Sequence, residues 1–511
     1  MRAGIVGAVV AAVAAGVGAV IQVEPTRGLY VDEVGRVRLY HGLNAVYKLA
    51  PWIPSQNGSN PWTSLAPADM ANLAAWGFNV LRLGVQWDGA EVAPGVFNTT
   101  YLGAMRALVD ELNGYGIAAI ADVHEDSISR YYCGEGVPPW YVNPNATAYP
   151  FPAPFPYSLP PDGPFPALAN CTQHPFAAYL FTIAEAASWG DIYSNATFAA
   201  AFARYWGAVA TAFAGCEGLL GYELLNEPQA GDLYADPLAF LDSSLADAGN
   251  LLPLYKAAYA AVRAVDPDHI VLYEHAVTEN YFWETTGFPA GGPGGVADNH
   301  KQALSYHIYC INTNATGDII NATACAEILA SWWAVEDKNK AVVGGGSFLT
   351  EFGAVGGSAE SAAALTAWAD MADARLESWA YWSYKYYDDI TTTNPATETL
   401  YNGDGSLQLA KLAALSRTYA QAIAGVPTTI TQQYDAASSA FTLSFTVNTA
   451  IAASARVTQV YYNAPLHYPA GVAWALAPPA AGTVTANGTY LLLLTHAPAY
   501  AGNVTLTVWA K

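Results

Sequence analysis

Short, largely apolar runs recur along the chain up to Gly425, and polar or helix-patterned segments separate them. The runs are RVRLYHGLN (36–44), NVLRLGV (79–85), IAAIADVH (117–124), LLGYELLNE (219–227), HIVLYEH (269–275), ALSYHIY (303–309), SFLTEFG (347–353) and SWAYWSYK (378–385). They have strand length and are rich in residues that favour strands, as expected of strands buried on both faces. Helical patterns fill several of the gaps, at 100–115, 196–214, 251–265 and 358–373. Eight such strands alternating with helices predict an α/β fold of the (β/α)8 barrel type.

Two regions break the rhythm. Residues 133–172 carry VPPWYVNPNATAYPFPAPFPYSLPPDGPFP, a proline density that forbids both helix and central strand. A connection of that length points to a functional loop, and its aromatic residues favour an ordered one. From Gly425 the pattern becomes period-two strands with polar turns, as in FTLSFTVNT, ARVTQVYY and GNVTLTVWA. This predicts an antiparallel β-sandwich. The expected organisation is therefore 1–20 as a signal peptide, 24–424 as the barrel and 427–511 as the sandwich, with GVPTT (425–429) between the last two.

The N-terminal reading rests on Arg2 followed by an Ala- and Gly-rich apolar run, with small residues at Gly18 and Ala19. Export, to an extracellular or endolysosomal destination, follows as an expectation. Nine N-x-[ST] sequons agree with it, at Asn57, Asn98, Asn145, Asn170, Asn195, Asn314, Asn321, Asn487 and Asn503. Five cysteines leave one unpaired. Cys133 and Cys171 bracket the proline-rich loop and Cys310 and Cys325 a shorter one, so these two bridges and a buried free Cys216 are expected, although sequence alone does not fix connectivity. A formal charge of −22, from 42 acidic and 20 basic residues, argues against a nucleic-acid partner. No H-E-x-x-H or C-x-x-C spacing points to metal, and no cofactor is expected.

The chemistry lies where strands end on charge. In a barrel of this type the active site is built at the C-terminal ends of the strands. The fourth run stops on Glu227 and the seventh carries Glu351 near its end. Two facing carboxylates are what glycoside hydrolysis needs: one protonates the leaving oxygen, the other attacks or activates water. His124, Arg82, His307, Tyr309 and Trp382 sit in or beside the other runs, and an indole face suits the apolar face of a sugar ring. Each also has a structural reading, as a core or ion-paired residue.

The NEP of YELLNEP and the TEFG that closes an SFL strand resemble the retaining glycosidases of glycoside hydrolase family 5. More narrowly, GLYVDEVGRVRLYHGLNAVYK, DVHEDSISRYYCGEGVPPW, GYELLNEPQAGDLYADP, SYHIYC, GSFLTEFG and YWSYKYYDDITT are similar to the endoglycoceramidases, from residue 28 to about 425 and in the expected order. The resemblance implies a (β/α)8 barrel with an appended β-sandwich, acting on a β-linked glycan of a glycosylceramide. It implies Glu227 as acid/base and Glu351 as nucleophile. Lys48, His124, Asp126, Asn226, Tyr309 and Trp382 would line the sugar site, and Arg82 and His307 would support the carboxylates. A glycolipid substrate, peripheral contact with a lipid surface and a monomeric chain are the expected partnerships. The aglycone wall would come from FPAPFPYSLPPDGPFP (151–166) and FWETTGFPAGGPGG (282–295). Ile308, Cys310 and Glu125 depart from the family pattern; the first two are expected to alter the lipid-side wall, and Glu125 the hydrogen bonding near His124. Rival readings are a glycosidase for steryl glucosides or soluble β-glucans, a non-catalytic carbohydrate-binding protein, and a structural surface glycoprotein.

Overall fold

The computed structural model describes residues 20–142, 165–278, 285–391 and 395–511. The signal-like start up to residue 19, the proline-rich stretch 143–164 with Asn145, and residues 279–284 lie outside the described residues. Eight parallel strands close into a barrel: β1 (His41–Ala45), β2 (Val80–Gly84), β3 (Ala118–Asp122), β4 (Leu219–Glu223), β5 (Ile270–Glu274), β6 (Gln302–Ile308), β7 (Gly346–Phe352) and β8 (Trp379–Tyr381). Around them run α1 (Pro67–Ala75), α2 (Thr99–Gly114), α3 (Ala196–Phe213), α4 (Leu252–Arg263), α5 (Ala322–Val343), α6 (Ala359–Arg375) and α7 (Leu409–Leu415). The β5–β6 connection contributes a 3-10 turn, Val296–Lys301, among its described residues. No described helix is long and apolar enough to cross a membrane.

Helix α3 shows how the sequence writes these elements. Asn195 caps it by accepting from the Thr197 and Phe198 N–H groups, which would otherwise lack partners. Phe198, Ala201, Phe202, Tyr205, Val209 and Phe213 then recur at helical spacing and are all buried against the barrel. At about 1.5–3 kcal/mol per fully buried large side chain, this face outweighs the weak intrinsic preference of its aromatic residues for helix.

Period-two alternation sorts the strand residues between two cores. Leu81, Leu83, Ala119, Ala121, Val271 and Tyr273 join the layer between barrel and helices. Their neighbours Val80, Ala118, Ile120, Ile270 and Leu272 form a separate cluster inside the barrel, together with Leu220, Ala303 and Phe348. Ile21, Val23, Tyr30 and Tyr40 plug that cluster from the N-terminal end. Toward the C-terminal end the interior changes from apolar to charged, through Arg82, Asp122, Glu223, Glu274, His307 and Glu351, each of which is buried. A bulge in β7 makes part of this possible. Tyr306 pairs with Leu349 but His307 pairs with Glu351, so Thr350 is passed over and Glu351 stands on the interior face.

The C-terminal layer consists of two antiparallel sheets over one core that includes Tyr434, Phe441, Leu443, Val460, Leu492 and Val508. One sheet has four strands. The other has seven, and three of these come from the N-terminus: Gln22–Val23, Tyr30–Val31 and Val37–Arg38. Arg38 is paired with Ala422, nearly 400 positions later in the chain. The run read as one strand over 36–44 is thus two, the first in this sheet and the second in the barrel. The boundary expected at GVPTT also falls within reach of the sheet, because Tyr419–Ile423, on its barrel side, pairs with both Val37–Arg38 and Val457–Tyr461. Cys133–Cys171 and Cys310–Cys325 are bonded and Cys216 is buried and free. None of the eight described sequon asparagines is buried.

Candidate active site

The fourth strand does not run to Glu227. Its ladder ends at Glu223, and the buried residues Leu224, Leu225 and Asn226 carry the chain to a sharp turn. Leu224 N–H still reaches the Leu272 carbonyl of β5 (3.0 Å), while Asn226 N–H crosses to Val123 beyond β3 (3.1 Å). Glu227 takes a left-handed φ of 39°, which is costly for a residue with a β-carbon. Pro228, which follows, disfavours the ordinary helical alternative at Glu227. The turn lifts the Glu227 carboxylate into the mouth of the barrel, with its side chain 22% exposed.

Glu351 lies across the mouth on β7. An oxygen of Glu227, one of Glu351 and a nitrogen of His307 all fall within 4.8 Å of one another. The two carboxylates have different company. Glu351 accepts from Arg82 Nη1 (2.5 Å) through one oxygen and from the Tyr309 hydroxyl (2.6 Å) through the other. Glu227 is met by His307 Nδ1 at 2.8 Å and has no guanidinium contact.

Arg82 is wholly buried and holds five partners, four through hydrogen bonds and Asp122 as an ion pair. Besides Glu351 these are Glu223, Asn44 (3.2 Å), Asn226 (2.9 Å) and Asp122 (3.1 Å). A guanidinium holds such a fork rigidly. Asn226 is fixed from both ends, since its Nδ2 donates to the Glu125 carbonyl (3.0 Å). His124 Nδ1 bonds to Asp122 (2.8 Å), and its ring stacks on Trp382 at 5.1 Å and 15°. Lys48 sits over the same indole at 4.8 Å and is ion-paired with Asp126 and with Asp389 (2.9 Å), while Thr391 accepts from it at 2.7 Å. Trp382 donates its indole N–H to Glu398 (3.2 Å).

Burial pushes the Glu227 carboxyl up, the charge of Asp126 adds to this, and His124, Arg82 and Lys48 pull against it; the outcome is about 7. Burial also raises Glu351, opposed by His307 and by Arg82 in direct contact. Of the pair, Glu351 is the one held as the anion, because a guanidinium and a phenol both donate to it. Burial lowers His307 to about 4, so its ring is neutral at physiological pH. Burial also works against charge on His124, but Asp122 outweighs it and the imidazole reaches about 9. The arrangement thus sets two carboxyls in unequal surroundings at the barrel mouth, Glu351 against a guanidinium and a phenol and Glu227 against an imidazole.

All ten residues expected at the site therefore converge on the barrel mouth. Sequence reading missed Asn44, Asp122, Glu223, Glu274, Glu135 and Asp389. For Asp122 and Glu274 the signal was present: an acid closing an apolar run, the pattern that singled out Glu227. Ile308 is not a wall residue, since it is 1% exposed and packs in the core between barrel and helices; Cys310 is buried in its disulfide. Of the expected aglycone wall, 151–164 and 282–284 lie outside the described residues. The described remainder of the second segment runs away from the mouth: Phe288 packs on Tyr255 and Tyr273, and Gly294 bonds to Gln302 at the start of β6.

The profile of the cellulase family (glycosyl hydrolase family 5) matches residues 50–388, and that of the glycoside hydrolase family 5 C-terminal domain matches 417–508. The chain is 35% identical over 456 residues to an endoglycoceramidase of Cyanea nozakii, covering 88% of this chain and 86% of the relative. It is 32% identical over 475 residues to an endoglycoceramidase of Hydra vulgaris, covering 93% and 86%. Endo-glycoceramidase II from Rhodococcus sp., solved as a ganglioside GM3 complex, shares the fold with a TM-score of 0.73 at 20% identity, over 95% of this chain and 100% of that one. With the first profile spanning well over half of the sequence, and a relative above 30% identity covered along most of its length, the chain belongs to glycoside hydrolase family 5.

Proposed function

We propose that this protein is a retaining glycosidase that cleaves the β-linkage between a glycan and ceramide, with Glu351 as nucleophile and Glu227 as acid/base. The single observation that carries the mechanism is the spacing and unequal company of the two carboxylates. One oxygen of each lies within 4.8 Å of the other, which fits the close pair of a retaining enzyme, carboxyls about 5–5.5 Å apart, better than the about 6.5–9.5 Å of an inverting pair. In the first step Glu351 forms a bond to the anomeric carbon while Glu227 gives its proton to the departing ceramide oxygen. In the second, Glu227 removes a proton from water, which displaces Glu351. Asn226, beside the acid, would bind the sugar 2-hydroxyl, and Trp382, His124, Lys48 and Asp126 would form one wall of the sugar site. Tyr309 would hold Glu351, and Arg82 and His307 would support the carboxylates through their contacts to Glu351 and Glu227.

The ceramide aglycone rests on the two animal relatives that carry the name endoglycoceramidase, each matched along most of its length. Hydrolysis of glucosyl-, lactosyl- and ganglioside-type ceramides beside a steryl glucoside and a soluble β-glucan, with the released glycan identified, tests it. Release of an intact oligosaccharide from ceramide is the expected result; turnover confined to the sterol or glucan substrates overturns it. Export and glycosylation belong to the same reading. They are supported by the signal-like start and by sequon asparagines of which none described is buried. Secretion assays with and without residues 1–20, and an endoglycosidase mobility shift, test them.

A further inference from the structure

We propose that Glu274, at the end of β5, is a positioning residue for the acid/base Glu227, holding its left-handed backbone and, through His307, the direction of its carboxyl. The proposal rests on the assignment of Glu227 made above.

The geometry begins with a ladder that stops early. Leu224 N–H bonds to Leu272 O in the regular manner of parallel strands. The next rung would join Asn226 N–H to Glu274 O. Instead, Asn226 N–H goes to β3, and Glu274 O accepts the Tyr255 hydroxyl at 3.0 Å. The Glu274 side chain supplies the acceptor where the main chain no longer does: its Oε2 takes the Glu227 N–H at 2.8 Å. One residue on, Val277 N–H bonds to Pro228 O at 2.9 Å, so β5 grips the turn on both sides of Glu227. A left-handed non-glycine residue costs about 1–3 kcal/mol and persists only where its surroundings enforce it.

The second contact acts on the side chain. Glu274 Oε1 has no hydrogen-bond partner among the described residues and stands 3.6 Å from His307 Nδ1, the atom that meets Glu227 Oε1 at 2.8 Å. His307 Nδ1 faces three carboxyl groups, Glu351 Oε2 also standing at 3.6 Å, and withdrawing Glu274 leaves Glu351 free to draw the ring from Glu227. Glu274 is wholly buried and does not face the sugar gap. Burial, with the charges of Glu227 and Glu223, pushes its carboxyl above the usual range.

Leaving-group dependence separates positioning of an acid from general support of the fold. A poor leaving group needs the Glu227 proton; an activated phenol does not. The probes are a 4-methoxyphenyl and a 2,4-dinitrophenyl β-glycoside of the preferred glycan, assayed with the full-length chain. Glu274→Met keeps the volume and removes both oxygens; it is expected to lose about 100-fold in kcat/KM on the first substrate and under about fivefold on the second. Glu274→Gln retains an acceptor for the N–H and should stay within about threefold of wild type on both. Glu274→Asp withdraws the carboxyl by one methylene and should reproduce the split should the methionine variant fail to fold. Equal losses on both substrates, or wild-type kinetics in the methionine and aspartate variants, overturn the proposal. Glu227→Gln serves as reference: without a split in that variant, the acid/base assignment itself fails, whereas a split there and none at Glu274 rejects only the positioning role.

Discussion

Arg82 and Glu351 meet at 2.5 Å in the barrel interior, and the same guanidinium reaches Asn226, the residue before Glu227. One cation from β2 therefore sets the position of a carboxylate on β7 and braces the turn that carries the other. The contact also keeps Glu351 ionised in a buried place, as a nucleophile requires.

Glu351→Gln should lower turnover at least about 10³-fold while leaving the melting temperature within a few degrees. The measurement is hydrolysis of the best glycolipid substrate beside a thermal melt. A 2-fluoro glycoside with an activated leaving group should add one glycosyl mass to the wild type, on the peptide containing Glu351. Labelling elsewhere contradicts the assignment.

Activity should fall as the pH rises through about 7, because Glu227 must start protonated and its carboxyl is held near that value. The sign is fixed by the role: below about 7 the proton is present, and above it the acid is spent before substrate binds. The alkaline limb of kcat/KM should report this group, and Glu227→Gln, assayed on an activated aryl glycoside, should lose that limb. A limb centred near the ordinary carboxylate value would contradict the burial argument.

Replacing Arg82 should cost more than activity. Arg82→Met leaves the buried acids Asp122, Glu223 and Glu351 without their common cation, and breaking a buried ion pair from one side typically costs about 3–5 kcal/mol. Denaturant unfolding should show the loss. Arg82→Lys should recover only part of it, since an ammonium cannot span five partners in one plane.

The Cys310–Cys325 bridge should matter both for stability and for catalysis. It closes a separation of 15 residues, for which the loop-entropy contribution is about 3 kcal/mol. It also anchors the chain immediately after Tyr309, which donates to Glu351. The Cys310→Ser/Cys325→Ser protein should unfold at lower denaturant and show a reduced kcat; the Cys216→Ser control should show neither.

The proposed catalytic pair stands out in the sequence for a definite reason. An apolar run that ends on a carboxylate, without a basic residue nearby in sequence, implies that the charge is satisfied by another part of the fold or used for chemistry. Glu227 and Glu351 both give that signal. Glu274 and Asp122 also close apolar runs, though beside His275 and His124, and were passed over, because period and composition do not distinguish a reacting carboxylate from one that supports it. The reading of 36–44 as one strand failed for a related reason. Arg38 and Tyr40 are equally apolar in their surroundings, but Arg38 pairs with Ala422 while His41, three residues on, pairs with Trp379, and no local pattern encodes a partner that far away. Glu227 stands four residues beyond its ladder because Leu224 N–H bonds to Leu272 and Asn226 N–H to Val123, a choice made by the assembled barrel.

The three N-terminal strands woven into the C-terminal sheet have a consequence for how the molecule is made. The residues that plug the barrel floor precede every barrel strand in the chain, yet the three short strands around them join the C-terminal sheet only through Val37–Arg38, whose partners Ala422 and Ile423 follow every barrel strand. A chain cut short near residue 415 would keep Glu227 and Glu351 but lose the strand against which Val37–Arg38, next to this plug, is held.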